Sequence, residues 1–528
     1  MVQLIGFFAF HVLPTTAEGP REWRERDGRT GFQKILFLPK GRENSEPSID
    51  MRARYVPLSV SAGVAAALLF YFGTGLHPTW WLLWFAPVPV LALAPSLSRL
   101  AVFRLATLAW LAGALNQWTY FRTAVELPPL LIVLSFLVPA IFFGFGVLFT
   151  RAFLRRGQLF RAALVFPAYW IMYEYLTEFR SPHSTFGNLA YSQMNCLPVI
   201  QIASITGIWG ISFVVFLFAS TIAVLLSGAG NPRRRRALAI AGGAVVCAIF
   251  LFGEWRLRSD VPDQSVVVTL VAKDVPISLY LGSGQQGLAL LRDYADEVRK
   301  VTPSGTDAVV LPEKVARISQ EALPEVDALF SGAAIATRSA IVLGLVRRTP
   351  GAAFNSSRVY SPDGKIAANY DKQHLLRPVE PEKAGTERVL LDESSGRWGL
   401  QICKDMDFPG LSREYARDRA SLLLVPAWDF NLDRWLHARM AVLRAVEDGF
   451  ALARSARNGL LTLSDNRGRI LAETSTTPGR FVSISGKVNL AWTTTFYSLT
   501  GDWFAWLCIA LFVILLASLF RSRTPGNS

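Results

Sequence analysis

Long apolar segments separated by short arginine-rich loops leave this chain few folds to choose from, because much of it must be buried in lipid. The segments run approximately over residues 56–75, 79–97, 101–119, 128–150, 159–176, 203–227, 237–253 and 503–520. Most approach the roughly 20 residues that a helix needs to cross about 30 Å of hydrocarbon. A bundle of about eight spans is therefore predicted. Pro87 and Pro89 predict a kinked or short helix in the second segment. Several segments carry Gly, Ala and Ser, the small residues that let helices pack closely in lipid.

The net charge of +14 invites a nucleic-acid reading, but its distribution argues against one. Arg52 and Arg54, Arg99 and Arg104, then Arg151, Arg155, Arg156 and Arg161 flank successive spans. Arg233 to Arg236, Arg521 and Arg523 complete the series. If the first pair lies in the cytoplasm, all the others fall there too, as basic loops do in membrane proteins. The charge then records topology, and the expected partners are the membrane and its lipids. The same assignment puts residues 254–502 and the loop 177–200 outside the cytoplasm.

At 528 residues and 51% hydrophobic content, several structural units are expected. Residues 1–55 are a polar extension. Met51-Arg-Ala-Arg54 makes a more natural start, so residues 1–50 are expected to be a mis-called extension or a disordered tail. Residues 56–253 form the bundle with seven spans, 503–520 the eighth, and 521–528 a basic cytoplasmic tail. Residues 254–502 change character. Short β-rich runs at Ser265–Ala272, Ala308–Leu311, Ala340–Val346, Ala352–Tyr360, Gly399–Ile402, Ser421–Val425 and Leu460–Ser464 alternate with helical patterns at Leu288–Val301 and Leu432–Asp448. With turn signals at 363–364 and 466–468, this predicts an extracytoplasmic α/β domain.

Within that domain Glu313, Lys372 and Cys403 each stand at or just after the end of an apolar run. A thiolate is the nucleophilic form of cysteine. A lysine nearby would favour that form, and a carboxylate could take the thiol proton and return it to a leaving group. When a thiolate attacks a carbonyl, Lys372 and the backbone N–H of residue 404 would stabilise the oxyanion, an effect of about 3 kcal/mol per donor. The other cysteines, Cys196, Cys247 and Cys508, are scattered singly. No CxxC or Cys/His cluster suggests a metal site or a disulfide framework, and no cofactor is indicated.

In this order the three residues resemble the Glu–Lys–Cys triad of the nitrilase, or carbon–nitrogen hydrolase, superfamily. Tyr370-Asp-Lys372-Gln-His374-Leu375, with Glu380 eight positions after the lysine, resembles its membrane branch, the bacterial apolipoprotein N-acyltransferases. So do Leu443-Arg444-Ala445-Val446-Glu447, Arg457-Asn458-Gly459 and Asp465-Asn-Arg-Gly468. In the membrane part, Tyr169-Trp-Ile-Met-Tyr-Glu174 and Gly207-Ile-Trp-Gly-Ile-Ser212-Phe213 match as well. The resemblance covers about residues 55 to 520. It implies a nitrilase-like four-layer αββα sandwich between the seventh and eighth spans, in a bacterial inner membrane. It also implies acyl transfer from a phospholipid, through a cysteine thioester, to the N-terminal amine of a lipid-modified lipoprotein. Glu380 would hold the lysine and the acyl intermediate.

Where that family usually has Cys-Tyr-Glu, this chain has Cys403-Lys404-Asp405. Lys404 is expected to add a second cation beside the thiol, and Asp405 to be a supporting carboxylate. An aspartate there is common in soluble amidases, so a membrane-tethered amidase is the first alternative and a catalytically silent lipid-binding homologue the second. His374 is expected to pack or hydrogen-bond beside the lysine, Trp428 to line an acyl groove or merely to pack, and His437 to lie on an ordinary amphipathic helix. Glu174, near the outer end of a span, needs a partner, for which Arg180 is the candidate. The loop 177–200 is a candidate lipid path.

Overall fold

The structure, a computed structural model, describes residues 49–259, 264–281, 284–490 and 492–521. The extension before residue 49 and the tail after Arg521 lie outside the described residues, and with them the expectation for residues 1–48.

Among the described residues, four helices are long and apolar enough to cross a membrane: Pro129–Leu154, Ile208–Leu226, Pro232–Arg258 and Trp503–Arg521. Helices Ile49–Gly73, Arg99–Ala114 and Leu159–Glu178 pack with them. The bundle core is aromatic: Trp110 meets Trp170 with ring centroids 4.8 Å apart, and Phe166 meets Phe216 edge-on at 5.2 Å. Leu108, Leu130 and Leu251 are exposed on its perimeter, as lipid-facing side chains should be.

Segment 79–97 is broken, as its prolines predict, into the turn Trp80–Leu82 and the six-residue helix Val88–Leu93. It nevertheless runs the height of the bundle. Asn116, after helix Arg99–Ala114, donates to the carbonyls of Tyr71 (2.7 Å) and Thr74 (2.9 Å). Arg151, near the opposite end, donates to the Leu97 carbonyl at 2.9 Å. Residues 75–97 thus connect one end to the other. Arg156 reaches the Leu519 carbonyl at that same arginine-rich end, at 3.1 Å.

The α/β domain contains β1 (Ser265–Lys273), β2 (Ala308–Val310), β3 (Arg317–Ile318), β4 (Ala340–Thr349), β5 (Ala352–Tyr360), β6 (Ile366–Asp371), β7 (Leu390–Glu393), β8 (Gly396–Leu400), β9 (Leu422–Trp428), β10 (Ala451–Arg457), β11 (Leu460–Ser464), β12 (Ile470–Ser475) and β13 (Phe481–Asn489). Among the described residues they form two sheets. One has the order β13-β1-β2-β4-β5-β6 with β3 beside β4, the other β12-β11-β10-β9-β8-β7.

Alternation along the strands sets the layers. Val266, Val268 and Leu270 of β1 meet Leu422 and Leu424 of β9 between the sheets. The odd-phase Val271 points instead to helices Gly284–Val301 and Leu323–Thr337. On the far side Leu423 and Val425 of β9 cluster with Met440, Leu443 and Val446 of helix Arg434–Asp448, and that cluster continues into the bundle. The arrangement is the expected αββα sandwich, with one helical layer serving as the floor on the membrane part.

Specific bonds fix this junction. The Glu447 carboxylate accepts the Ile208 amide at 2.7 Å, capping the N-terminus of a membrane helix. Tyr120 donates to Asp433 at 2.8 Å, and Thr185 to the Asp407 carbonyl at 2.9 Å. Glu174 departs from expectation: its carboxylate accepts the Leu189 amide at 3.2 Å rather than pairing with Arg180. The loop 177–200 folds back over its own helix and supplies the partner locally.

Candidate active site

Glu313, Lys372 and Cys403 come from the ends of three strands in two sheets. Glu313 follows β2, and its amide donates to the Ala427 carbonyl of β9 at 3.2 Å. The chain there runs so close to Gly344 of β4 that a Cβ at 344 would lie 2.2 Å from the Pro312 carbonyl oxygen. Lys372 leaves β6 with its amide on the Asn355 carbonyl at 2.8 Å. Cys403 opens a tight turn after β8 with φ +46°, a left-handed backbone that few non-glycine residues adopt and that often marks functional turns. Its thiol contacts the Trp428 carbonyl at 3.5 Å.

The Lys372 ammonium is clasped between two carboxylates, at 2.8 Å from Glu313 and 2.9 Å from Glu380. Asn355 bridges the same pair, donating to Glu313 at 2.6 Å and Glu380 at 2.9 Å. Glu380 also takes the Lys314 ammonium at 2.6 Å and the Leu376 amide at 2.6 Å. All these side chains are buried. Buried charges persist only when paired and hydrogen-bonded, and here each has several partners.

The electrostatics follow from that geometry. Cys403 keeps some surface open to solvent but is enclosed by protein; burial, then the Glu313 carboxylate, push its thiol well above the usual range, against the pull of Lys372. Burial works against the Lys372 charge, yet Glu313, Glu380 and Cys403 outweigh it and hold the ammonium protonated well above its ordinary value. Burial also opposes ionisation of Glu380, but Lys372 and Lys314 overcome it and hold the carboxyl down at about 2. The resting state is a neutral thiol beside a fixed cation, with a carboxylate hydrogen-bonded to that cation. Such a set can move one proton off sulfur and receive an oxyanion.

Asp405 is the tie between the two loops. Fully buried, it accepts the Tyr370 hydroxyl (2.7 Å) and the amides of Ile402 (3.1 Å), Gln373 (3.2 Å) and His374 (2.8 Å). His374 lies beside the lysine as expected, its ring 3.1 Å from Asp405 and stacked on Phe408 at 3.7 Å. Trp428 offers its carbonyl to the thiol, while its ring packs under Arg457 (3.9 Å) and against Tyr280 (5.4 Å).

Lys404 lies within the electrostatic reach of Cys403 and has a second role as well. Its ammonium turns to the bundle, donating to the Pro182 carbonyl at 2.5 Å and facing the His183 ring nitrogen at 3.3 Å. Burial and then Lys404 push His183 down to about 4, so its neutral ring can accept that proton. Lys404 is a strut between the cysteine turn and the loop 177–200. His437 lies on helix Arg434–Asp448, half-buried and 3.1 Å from Asp433, which with Asp429 and Asp407 outweighs burial and raises it to about 9.

Sequence reasoning did not single out Asn355 or Lys314. Asn355 opens a run of four buried polar residues, Asn355-Ser356-Ser357-Arg358, between the apolar ends of its strand. That interruption was the available signal. Lys314 gave none beyond its adjacency to Glu313.

Comparison with known proteins agrees with these elements. Residues 62–221 match the apolipoprotein N-acyltransferase N-terminal domain, and residues 275–484 the carbon–nitrogen hydrolase family. The chain is 28% identical over 511 residues to the apolipoprotein N-acyltransferase of Geobacter metallireducens, covering 88% of this chain and 95% of that protein. It is 26% identical over 412 residues to that of Rhodopseudomonas palustris, covering 68% and 72%. The crystal structure of a carbon–nitrogen hydrolase from Helicobacter pylori aligns with 42% of this chain and 90% of its own, at 21% identity and TM-score 0.36.

Proposed function

The chain belongs to the apolipoprotein N-acyltransferase family of the carbon–nitrogen hydrolase superfamily, and from that premise we propose that it moves an acyl chain from a phospholipid, through a thioester on Cys403, to the N-terminal amine of a diacylglyceryl-cysteine lipoprotein. The observation that carries this reading is the Lys372 ammonium held between Glu313 and Glu380 in the field of the Cys403 thiol.

In the first half, Glu313 takes the thiol proton as the sulfur attacks the ester carbonyl. Lys372 and the amide of residue 404 receive the oxyanion. The C–O bond breaks, the departing alkoxide takes the proton back from Glu313, and a lysophospholipid leaves. In the second half the lipoprotein amine attacks the thioester and gives a proton to Glu313. The C–S bond then breaks, and the thiolate recovers that proton. Glu380 keeps Lys372 charged and oriented throughout; Asp405 sets the two loops, and Trp428 with His374 borders the pocket. A long acyl chain in an apolar groove would keep water from the thioester, so that amine wins over hydrolysis.

Eight crossings of a bacterial inner membrane fit this reading, with segment 79–97 crossing as a broken helix and the sandwich on the periplasmic face. Two observations support that orientation. Arg151 and Arg156 gather at one end of the bundle with Leu97 and Leu519, while Thr185 and Lys404 join the sandwich to the loop 177–200, on the far side of helix Leu159–Glu178.

Mass spectrometry of lipoprotein N-termini, from cells with and without this protein, tests the function. Triacylated termini that become diacylated on its loss support transfer. An unchanged lipoprotein profile, with free fatty acid or ammonia released by the purified protein, would favour the amidase reading instead.

A further inference from the structure

Two buried arginines stand at the bundle–sandwich junction, neither with a carboxylate in ion-pair contact among the described residues. Arg256, in the last turn of helix Pro232–Arg258, is 5% exposed. Among the described residues its guanidinium donates only to neutral oxygens: the Gln201 side chain, the Val446 carbonyl (3.3 Å) and the Asn466 carbonyl (3.5 Å). Arg467, after β11, is 7% exposed, and its Nε has no hydrogen-bond partner among the described residues. The nearest acid, Asp465, is engaged elsewhere, accepting the amides of Arg467 and Arg469 at 2.9 Å and the Arg469 guanidinium at 3.1 Å. A buried cation left unpaired is expensive, and two within each other's field are more so. The junction therefore has an unmet demand for negative charge.

Both arginines line one cavity of about 340 Å³, whose wall also carries Ser204, Ser259 and Thr494. None of Glu313, Lys372, Glu380 or Cys403 lines it. At its rim Trp255 is 67% exposed and Phe496 50%, and Leu251, one turn earlier on the same helix, is 70% exposed. An exposed tryptophan where a membrane helix ends is the mark of the headgroup level of a bilayer. Arginine is the side chain suited to phosphate, through its planar fork of donors.

We propose that this cavity is a second lipid site, holding the phosphate of an anionic phospholipid between Arg256 and Arg467, with the acyl chains against the exposed face of helix Pro232–Arg258. It is separate from the acyl-donor site and independent of the reaction assigned to Cys403. The bound phosphate supplies the missing counter-charge and ties the sandwich to the membrane where the loop 177–200 passes into Gln201 and Ser204.

Native mass spectrometry of the full-length protein in detergent, titrated with phosphatidylglycerol, tests it in a Cys403→Ala background that prevents turnover. One tightly retained phosphatidylglycerol is expected. Arg256→Gln with Arg467→Gln should reduce retention by roughly tenfold or more, and Arg467→Lys by less. Trp255→Ala, at an exposed rim position that folding does not need, should weaken retention by a smaller factor. Phosphate-free diacylglycerol should not compete. Equal retention by the double Gln variant, or by the Trp255→Ala variant if the double variant does not fold, overturns the proposal. Displacement of the lipid by millimolar inorganic phosphate overturns the lipid assignment in favour of a free-anion site.

Discussion

The Tyr370 hydroxyl donates to Asp405 at 2.7 Å, joining the strand end that carries Lys372 to the turn that carries Cys403. Tyr370 lies in β6 of one sheet and Asp405 in the turn that follows β8 of the other, so this bond and the His374 and Gln373 amides on the same carboxylate register the two sheets where the candidate chemistry sits. Asp405→Asn would aim an amide donor at a ring of donors, at a penalty of about 1–3 kcal/mol for each buried group left unsatisfied. Acyl-enzyme formation is expected to slow by roughly 10- to 100-fold through kcat with KM little changed, and Asp405→Glu to recover part of it. Single-turnover thioester kinetics measure both.

The charge on Glu313 has two opposite effects on the sulfur. It raises the thiol's pKa, and it is the group proposed to take the proton. Glu313→Gln should therefore shift iodoacetamide alkylation of Cys403 to lower pH while lowering acyl transfer by roughly 100-fold or more. Lys372→Met should shift alkylation to higher pH, since the ammonium favours the thiolate. An alkylation profile unmoved in both variants would separate the sulfur from its two supposed neighbours.

Glu380 makes a stability prediction with a sign. Lys372 and Lys314 prevail over burial and hold it at about 2, against an ordinary 4.5. Its contribution is thus complete above pH 4.5 and fades as pH falls toward 2. Glu380→Gln leaves two buried lysines short of a carboxylate, which costs about 3–5 kcal/mol. Thermal unfolding in detergent should show this deficit in full at pH 7 and a reduced one at pH 3.5.

Gly344→Ala probes the backbone beneath Glu313. A Cβ there would stand 2.2 Å from the Pro312 carbonyl oxygen and 2.8 Å from the Glu313 Cα, so the Pro312–Glu313 segment must shift. Displacements on the order of 1 Å can lower a rate by about 100-fold. Activity should fall well before the protein loses its fold, as read by thioester formation beside unfolding temperature.

The apolar segments and strand ends were legible because lipid and sheet cores impose simple patterns. Strands β1, β2, β4, β5, β9 and β11 carry dense apolar runs, and their positions agree with the sequence to within a few residues. Strands β12 and β13 did not stand out, because all their residues but Val488 are exposed or only half-buried. Strand β10 was masked by Arg454 and Arg457, fully buried arginines that read as surface residues. The side-chain partners were less legible than the elements. Asn355, forty-two residues from Glu313 along the chain, meets it only because β4 and β5 form a hairpin. Nothing local to Lys404 announces its bond to the Pro182 carbonyl at 2.5 Å, which joins residues 222 apart along the chain.

The most direct measurement is intact-protein mass spectrometry after incubation with acyl-labelled phospholipid. The account predicts a single labelled acyl group on Cys403, resistant to water, discharged by a lipoprotein N-terminal amine, and absent from Cys403→Ala. A label carried by another residue, or an unlabelled protein that still transfers the acyl chain, would contradict it.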